Sequence, residues 1–218
     1  MGLPVMIMGR SGSGKTYSLK NFQPNEVGII SVEKGRLPFR TDLKTVKIPA
    51  FNGEDVKSYA QVNAAKYSWL EMIIAKSQAK SIVIDDSQYL LVNELFDRSK
   101  EKGYDKFTDM AANFRNLIHF VNELDDDEKI VYFLHHTESD SDGREKAKTI
   151  GKMLDEKLTV EGCFDIVIYC ADHKFYTQSN GQSSAKTPED MFPTVEVPND
   201  LKMVDDAIRK YYGMEASK

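Results

Sequence analysis

GRSGSGKT, residues 9–16, fits the pattern G-x-x-x-x-G-K-[ST] at every position. The apolar run Leu3–Met8 precedes it and predicts a buried strand, and residues 15–21 predict the beginning of a helix. A strand before the glycine-rich turn and a helix after it are the context that a phosphate-binding loop requires. The stretch therefore predicts a P-loop nucleotide-binding fold.

The chemistry of the loop assigns a role to each residue type. Glycines let the backbone turn its amide groups inward, and these amides form an anion cradle together with the N-terminus of the following helix. We expect Lys15 to reach the β- and γ-phosphates of ATP, and the Thr16 hydroxyl to bind Mg²⁺. The predicted cofactor-binding residues are Gly9, Arg10, Ser11, Gly12, Ser13, Gly14, Lys15 and Thr16.

A second acidic site is predicted where the apolar run at residues 81–84 ends in Asp85 and Asp86. A P-loop needs a carboxylate to hold the Mg²⁺ shell, and a buried strand would deliver Asp85 to the sheet edge where ligands bind. Asp85 and Thr16 are therefore the predicted metal ligands. The alternative is that Asp85 only caps the next helix, while Asp86 either caps that helix or helps to position water.

The attacking water also needs an acceptor for its proton. Glu33 follows the predicted strand at residues 27–32 and would reach the same edge of the sheet, so we favour it over Asp86. Its alternative role is a surface acid paired with Lys34. His136 follows the predicted strand at residues 129–134 and could bond the γ-phosphate, although a structural role is nearly as well supported. The predicted catalytic set is Lys15, Glu33, Asp85, Asp86 and His136.

Strand and helix patterns alternate along most of the chain. Strands are predicted at residues 3–8, 27–32, 45–48, 81–84, 129–134 and 164–171, and helices at 15–21, 56–76, 87–97, 104–124, partly 150–161, and 201–212. This order predicts an α/β fold, a mostly parallel sheet with helices on both faces. We expect one domain over residues 1–218, with an extension from about residue 172.

Two connecting segments carry their own predictions. The polar stretch at residues 137–148 predicts a long mobile loop. Asn180-Gly181 predicts the turn of a β-hairpin over residues 174–186, and the final amphipathic helix is expected to begin at a cap on Asn199 or Asp200 and end at Gly213.

Composition excludes several classes of protein. The 218 residues are 41% hydrophobic and 29% charged, as in an ordinary globular chain, and no apolar run is long enough to span a membrane. The net charge of −5 argues against a strongly basic nucleic-acid coat protein. Cys163 and Cys170 lack the spacing of a zinc site and are expected to be buried thiols. We expect a cytoplasmic protein with no membrane partner.

With these residues in place, the chain resembles RecA-like ATPases. In that family a glutamate after the second strand serves as the base, and Glu33 stands at this position. A histidine, His136, stands where that family usually has a glutamine. More narrowly, the chain is similar to phage-encoded ATPases of the single-strand-annealing and recombination group, in segments that include GRSGSGKT, SVEKG, IVIDDSQ and FLHHTE. The resemblance implies ATP and Mg²⁺ as cofactors, single-stranded DNA as partner, and self-assembly into a ring or filament.

Self-assembly would place ATP between subunits, and a basic residue of one subunit would complete the neighbouring site. Lys152 and Lys157 are the candidates, each with a solvated surface lysine as the alternative. Lys174, Phe175 and Tyr176 could contact bases and phosphates, or could simply pack across strands. Two other functions stay open: a small-molecule kinase, for which Arg36 and Arg40 are close in sequence, and a non-catalytic module switched by ATP.

Overall fold

The computed structural model describes residues 1–33, 35–51, 58–151, 155, 158–179 and 181–214. Nine strands in this part of the chain form one sheet: Leu3–Gly9 (β1), Val27–Ser31 (β2), Thr45–Lys47 (β3), Ser81–Asp85 (β4), Ile130–Ser139 (β5), Glu145–Ala147 (β6), Ile166–Ala171 (β7), Lys174–Tyr176 (β8) and Glu196–Pro198 (β9). The α-helices are Tyr59–Lys76 (α1), Gln88–Asp97 (α2), Asp105–Asn122 (α3) and Leu201–Tyr212 (α4). The predicted α/β class is confirmed.

The order of strands across the sheet is β3-β2-β4-β5-β1-β7-β8-β9, with β6 paired to β5. The first six strands are parallel, whereas β8 and β9 each run antiparallel to the strand before them. Strand β5 thus lies between β1, which ends at the P-loop, and β4, which ends at Asp85. Because parallel strands end at one edge, the predicted site residues come from neighbouring strands there.

Helices cover both faces of the sheet, and the alternation of side chains along β1 shows how. Met6 and Met8 point into a core formed with α1, α2 and α3. Val5 and Ile7 point to the opposite face, into a core that α4 and the short 3-10 helix Thr16–Asn21 complete. Both faces of β1 are therefore buried, which explains why its sequence is a continuous apolar run rather than an alternating one.

The C-terminal helix α4 begins and ends as the sequence predicts. The Asp200 side chain accepts hydrogen bonds from the amides of Lys202 (3.0 Å) and Met203 (3.3 Å). Gly213 ends the helix with a φ of +70°, a conformation that glycine adopts without strain. Of the two predicted caps, Asp200 is the one that forms these bonds.

The same helix carries a buried ion pair that the sequence analysis missed. Asp205 and Arg209 are 0% and 2% exposed, and Arg209 Nε donates to Asp205 Oδ2 at 2.7 Å. Asp205 Oδ1 accepts from the Ser81 hydroxyl at 2.6 Å and from the Tyr132 hydroxyl at 2.8 Å. These polar contacts join α4 to β4 and β5, so the helix is attached by more than its apolar face.

The prediction of a mobile loop at residues 137–148 is wrong. Strand β5 continues to Ser139, and β6 pairs with it antiparallel, so that Thr137 faces Ala147. The Glu145 carboxylate is buried and accepts hydrogen bonds from the hydroxyls of Thr137 (2.5 Å) and Ser139 (2.7 Å). Hydrogen bonds between polar side chains hold this hairpin, and apolar patterning cannot detect them.

The prediction of a hairpin centred on Asn180-Gly181 is also wrong. The tight turn lies earlier, at Asp172 and His173, between β7 and β8, and both residues have positive φ (49° and 57°), as a two-residue hairpin turn requires. Strand β8 then pairs with β9, not with residues before Lys186. Asn180 itself lies outside the described residues.

No described helix is both long enough and apolar enough to cross a membrane.

Candidate nucleotide-binding site

A cavity of about 370 Å³ opens at the sheet edge where β1, β4 and β5 end. It gathers residues from the P-loop, from the last residue of β4 and the residue after it, from β5 and from two loops. Its lining residues are Ser11, Gly12, Gly14, Lys15, Thr16, Tyr17, Arg36, Pro38, Asp85, Asp86, His136 and His173. The predicted site residues Lys15, Thr16, Asp85, Asp86 and His136 therefore share one cavity with three residues of the glycine-rich turn.

Gly14 is required where the loop enters the 3-10 helix. Its φ is +109°, and a Cβ built there would lie 2.2 Å from Asn199 Nδ2 and 2.7 Å from His173 Nδ1. Asn199 Nδ2 also donates a hydrogen bond to the carbonyl of Gly14 at 3.1 Å. The loop thus packs against the β7–β8 turn and against the segment before α4. These contacts fix the path of the loop backbone.

Lys15 is held inside the loop. The residue is only 5% exposed, and its ammonium donates to the carbonyls of Gly9 (2.7 Å) and Arg10 (2.9 Å). A buried ammonium next to a phosphate-sized cavity is placed to bind a polyphosphate anion. The helix predicted to begin at residues 15–21 is the 3-10 helix Thr16–Asn21.

Thr16 and Asp85, the two predicted metal ligands, meet directly: Thr16 Oγ1 donates to Asp85 Oδ1 at 2.9 Å. Burial and the neighbouring Asp86 raise the pKa of Asp85 to about 6. A carboxylate kept from water beside a second acid gains strongly from a bound cation. Among the described residues, no group of three or more acidic, histidine or cysteine side chains is arranged to hold a metal ion. With Thr16 and Asp85 as its protein ligands, a Mg²⁺ ion would complete its shell with water and substrate phosphates, as that ion prefers.

Asp86 and His136 form a second contact at the cavity wall. His136 Nε2 lies 3.0 Å from Asp86 Oδ1, and the ring must donate this bond because an ionised carboxylate only accepts. Asp86 has a φ of +61°, an unusual conformation for a residue that is not glycine. The strained backbone turns the Asp86 side chain towards His136 instead of continuing the strand.

The adjacent His135 differs from His136 in its burial and in its hydrogen-bond partners. It is fully buried, and burial lowers its pKa to about 4, so the ring is neutral. Its Nε2 donates to the carbonyl of Lys148 at 2.9 Å, and its Nδ1 lies 3.0 Å from the Ser87 hydroxyl. His135 therefore joins β5 to α2 and to the chain after β6, while His136 faces the cavity.

Glu33 does not line the cavity. It is exposed two residues beyond Ser31, which pairs with Asp85 in the register of β2 and β4. Its Oε1 accepts a hydrogen bond from Asn93 Nδ2 at 2.7 Å. The carboxylate lies beside the site rather than in it. Lys34, its alternative partner, lies outside the described residues.

Arg10 turns its side chain away from the cavity. The guanidinium donates to Glu145 Oε1 from Nε (3.1 Å) and Nη2 (2.5 Å), and to the Ser139 hydroxyl (2.8 Å). The hydrogen bonds from Arg10 lower the pKa of Glu145 to about 2. The side chain of Arg10 therefore attaches the P-loop to the β5–β6 hairpin, and only its backbone is available to the phosphates.

Four residues of the cavity wall were not predicted from the sequence: Tyr17, Arg36, Pro38 and His173. Tyr17 follows the motif directly, and its ring meets those of Phe39 and His173 edge to face, with centroids 6.0 and 5.9 Å apart. Its position in the chain could have indicated it. The other three come from loops whose folding against the cavity leaves no pattern in the sequence.

The residues proposed for DNA contact are largely engaged within the chain. Phe175 is fully buried, and Tyr176 packs on Tyr169 across strands at a centroid distance of 6.1 Å. Lys174 pairs with Glu196 at 2.7 Å. Cross-strand packing is therefore the correct alternative for the two aromatic residues. Lys152 and Lys157 lie outside the described residues.

Comparison with known proteins identifies the family of the chain. No curated protein matches the chain. The family model AAA_24, described as an AAA domain, matches residues 1–193, which include the P-loop and every residue of the cavity wall. The chain therefore belongs to the AAA_24 family of AAA domains and is a P-loop protein of the AAA ATPase type.

Proposed function

We propose that this protein binds and hydrolyses ATP with Mg²⁺, and that it acts in DNA recombination, single-strand annealing or replication. The observation that carries the ATPase part is the contact between Thr16 Oγ1 and Asp85 Oδ1, 2.9 Å long, in the cavity that Lys15 lines. The proposed DNA partner is supported by the resemblance of several segments to phage recombination ATPases, including SVEKG and FLHHTE.

In this proposal Thr16 and Asp85 would hold Mg²⁺, which would supply positive charge near the phosphates. The amides of the P-loop bind the phosphates from the other side. Lys15 exchanges its bonds to the carbonyls of Gly9 and Arg10 for bonds to phosphate. The buried position of Lys15 strengthens each of these charge-assisted bonds, since water is excluded.

Hydrolysis joins a water oxygen to the γ-phosphorus and breaks the bond from that phosphorus to the β–γ bridging oxygen, which leaves with ADP. A proton from the water passes to an acceptor carboxylate, and inorganic phosphate is released. We propose Glu33 as this acceptor and Asp86 as the alternative. His136 donates to Asp86 and would bond the γ-phosphate from the same wall.

Replacing Glu33 with Gln tests the acceptor. We expect turnover to fall by roughly 100-fold or more while nucleotide affinity is kept, because an amide cannot take the proton. Asn93→Ala is the matched control, since it removes only the group that holds Glu33 Oε1, and it should keep turnover. Steady-state phosphate release and nucleotide titration provide the two measurements. Full turnover in Glu33→Gln together with its loss in Asp86→Asn would assign the role to Asp86.

The DNA part is tested by ATP turnover with and without single-stranded DNA, with Lys15→Ala as the control for contaminating activity. We expect single-stranded DNA to raise turnover and to increase the size of the oligomer, both measured at one salt concentration because DNA binding depends strongly on salt. If neither quantity changes, the proposed DNA role is wrong. Phosphate transfer to a nucleoside would identify a kinase, and binding without turnover would identify an ATP-switched module.

A further inference from the structure

The segment after β2 places a positively charged residue, Arg36, in the wall of the cavity at the P-loop. Residues 36–40 alternate in burial: Leu37 and Phe39 pack on the core that α4 helps to form, whereas Arg36, Pro38 and Arg40 are exposed. Of the three exposed residues, Arg36 and Pro38 line the cavity and Arg40 does not.

This segment is anchored at several points. The carbonyl of Gly35 accepts a hydrogen bond from the Thr45 hydroxyl at 3.0 Å, next to Arg36. The Phe39 ring meets that of Tyr17, the residue directly after the P-loop motif, edge to face at 6.0 Å. These contacts hold the backbone on both sides of Arg36, and Arg36 lies in the wall of the cavity.

The charge on Arg36 is not neutralised by a described partner. The guanidinium forms no ion pair with a carboxylate in the described part of the chain, unlike Arg10, Arg98 and Arg209. Asp85 has Thr16 as its hydrogen-bond partner, and Asp86 has His136. An arginine in the cavity wall that has no acidic partner among the described residues can bind an anionic ligand there.

We propose that Arg36 is a catalytic residue that binds the γ-phosphate of ATP in its own subunit. Charge spreads over the oxygens of the γ-phosphoryl group as its bond to the bridging oxygen breaks, and a guanidinium binds two such oxygens at once. This inference rests on the proposed ATPase function. It differs from the expectation that Lys152 or Lys157 of a neighbouring subunit completes the site, since the cation here comes from the chain that carries the P-loop.

Arg36→Ala tests the catalytic role against Arg40→Ala, a matched control four residues away on the same segment and outside the cavity. We expect Arg36→Ala to lower turnover by roughly 100- to 1,000-fold, the range found when one preorganised donor to a transition state is removed. Arg40→Ala should match the wild type. Melting temperatures of both should be unchanged, because both side chains are exposed.

Affinity for ADP and for a non-hydrolysable ATP analogue gives a readout besides turnover. Because Arg36 is proposed to contact only the γ-phosphate, Arg36→Ala should bind ADP as the wild type does and bind the analogue more weakly. Arg36→Lys should recover part of the lost turnover, since lysine keeps the charge but cannot form the bidentate contact of a guanidinium. Equal loss of ADP and analogue affinity would show a structural role and overturn the proposal.

Mixing two inactive variants separates action within a subunit from action between subunits. Lys15→Ala keeps Arg36, and Arg36→Ala keeps the P-loop, so a mixed assembly recovers complete sites only if Arg36 acts across an interface. We expect the mixture to show no more turnover than the sum of its parts. Recovery above that sum would overturn the assignment to the same subunit. A wild type without turnover would defeat the proposed ATPase, whereas an active wild type with an unaffected Arg36→Ala would defeat this inference alone.

Discussion

Replacing Asp85 with Asn is expected to reduce ATP turnover by roughly 100-fold or more, because a metal ion contributes several kcal/mol to the transition state and tenfold in rate corresponds to about 1.4 kcal/mol. Asn keeps the shape of the side chain and its bond with Thr16, but it loses the charge that Mg²⁺ requires. Mg²⁺-dependent nucleotide affinity should fall as well. Phosphate release and nucleotide titration at several Mg²⁺ concentrations measure these effects.

The same substitution should leave the protein without Mg²⁺ at least as stable as the wild type at pH 7.5. In the folded protein the pKa of Asp85 is about 6, above the value of about 3.9 for an unfolded aspartate. The folded state therefore binds more protons than the unfolded state between about pH 4 and pH 6, and stability falls as the pH rises through this window. Above pH 6 the buried Asp85 is ionised and lowers the free energy of unfolding, and Asn removes that charge.

Thermal unfolding without and with Mg²⁺ distinguishes the metal ligand from a helix cap. Mg²⁺ and nucleotide should raise the melting temperature of the wild type and should have little effect on Asp85→Asn, since a ligand stabilises only the state that it binds. If Asp85 only caps α2, Asp85→Asn should keep both its stability and its turnover, because asparagine caps a helix about as well as aspartate does. That result would remove the metal site from the proposal.

Replacing Asp205 with Ala is expected to destabilise the fold by about 3–5 kcal/mol, the cost of breaking one partner of a buried ion pair. The change leaves Arg209 buried without its acidic partner and removes the acceptor for the hydroxyls of Ser81 and Tyr132. For a chain of this length we expect the melting temperature to fall by about 6–20 °C. Denaturant or thermal unfolding measures the loss.

Asp206, the next residue, provides a matched control on the exposed side of the same helix. Its carboxylate pairs with Lys202 at 2.5 Å but is half exposed. Such surface pairs contribute about 0–1 kcal/mol, so Asp206→Ala should melt within a few degrees of the wild type. If the two variants unfold at the same temperature, the buried network around Asp205 contributes no more than a surface pair does.

Several features of the fold follow from local sequence. The P-loop, the buried runs of β1, β4 and β5, and the ends of α4 depend on residues that are close together in the chain, so motif and periodicity predict them. The meeting of Thr16 with Asp85 was also predictable, since both lie at the carboxyl end of parallel strands or just after them.

The errors arise where polar side chains form structure through distant partners. The β5–β6 hairpin has a polar sequence, and its Glu145 accepts hydrogen bonds from Thr137, from Ser139 and from Arg10, which is 135 residues away in the chain. The ion pair of Asp205 and Arg209 occupies the side of α4 that faces the sheet, and a hydrophobic pattern assigns such residues to solvent. The contact of Arg10 with Glu145 and the contacts of Asp205 with Ser81 and Tyr132 join residues that no local window contains, whereas Asp205 and Arg209 are four residues apart in one helix.

The sequence by itself therefore determined the class of fold, the position of the P-loop and the edge of the sheet at which Thr16 and Asp85 meet, because these depend on short-range backbone geometry and on strand order. Only the tertiary structure decided that His136 bonds Asp86, that Glu33 lies beside the cavity with Asn93, and that Arg36 lines the cavity wall. The physical reason is that side-chain hydrogen bonds and charges act over a few ångströms in space, whatever the separation of the residues along the chain.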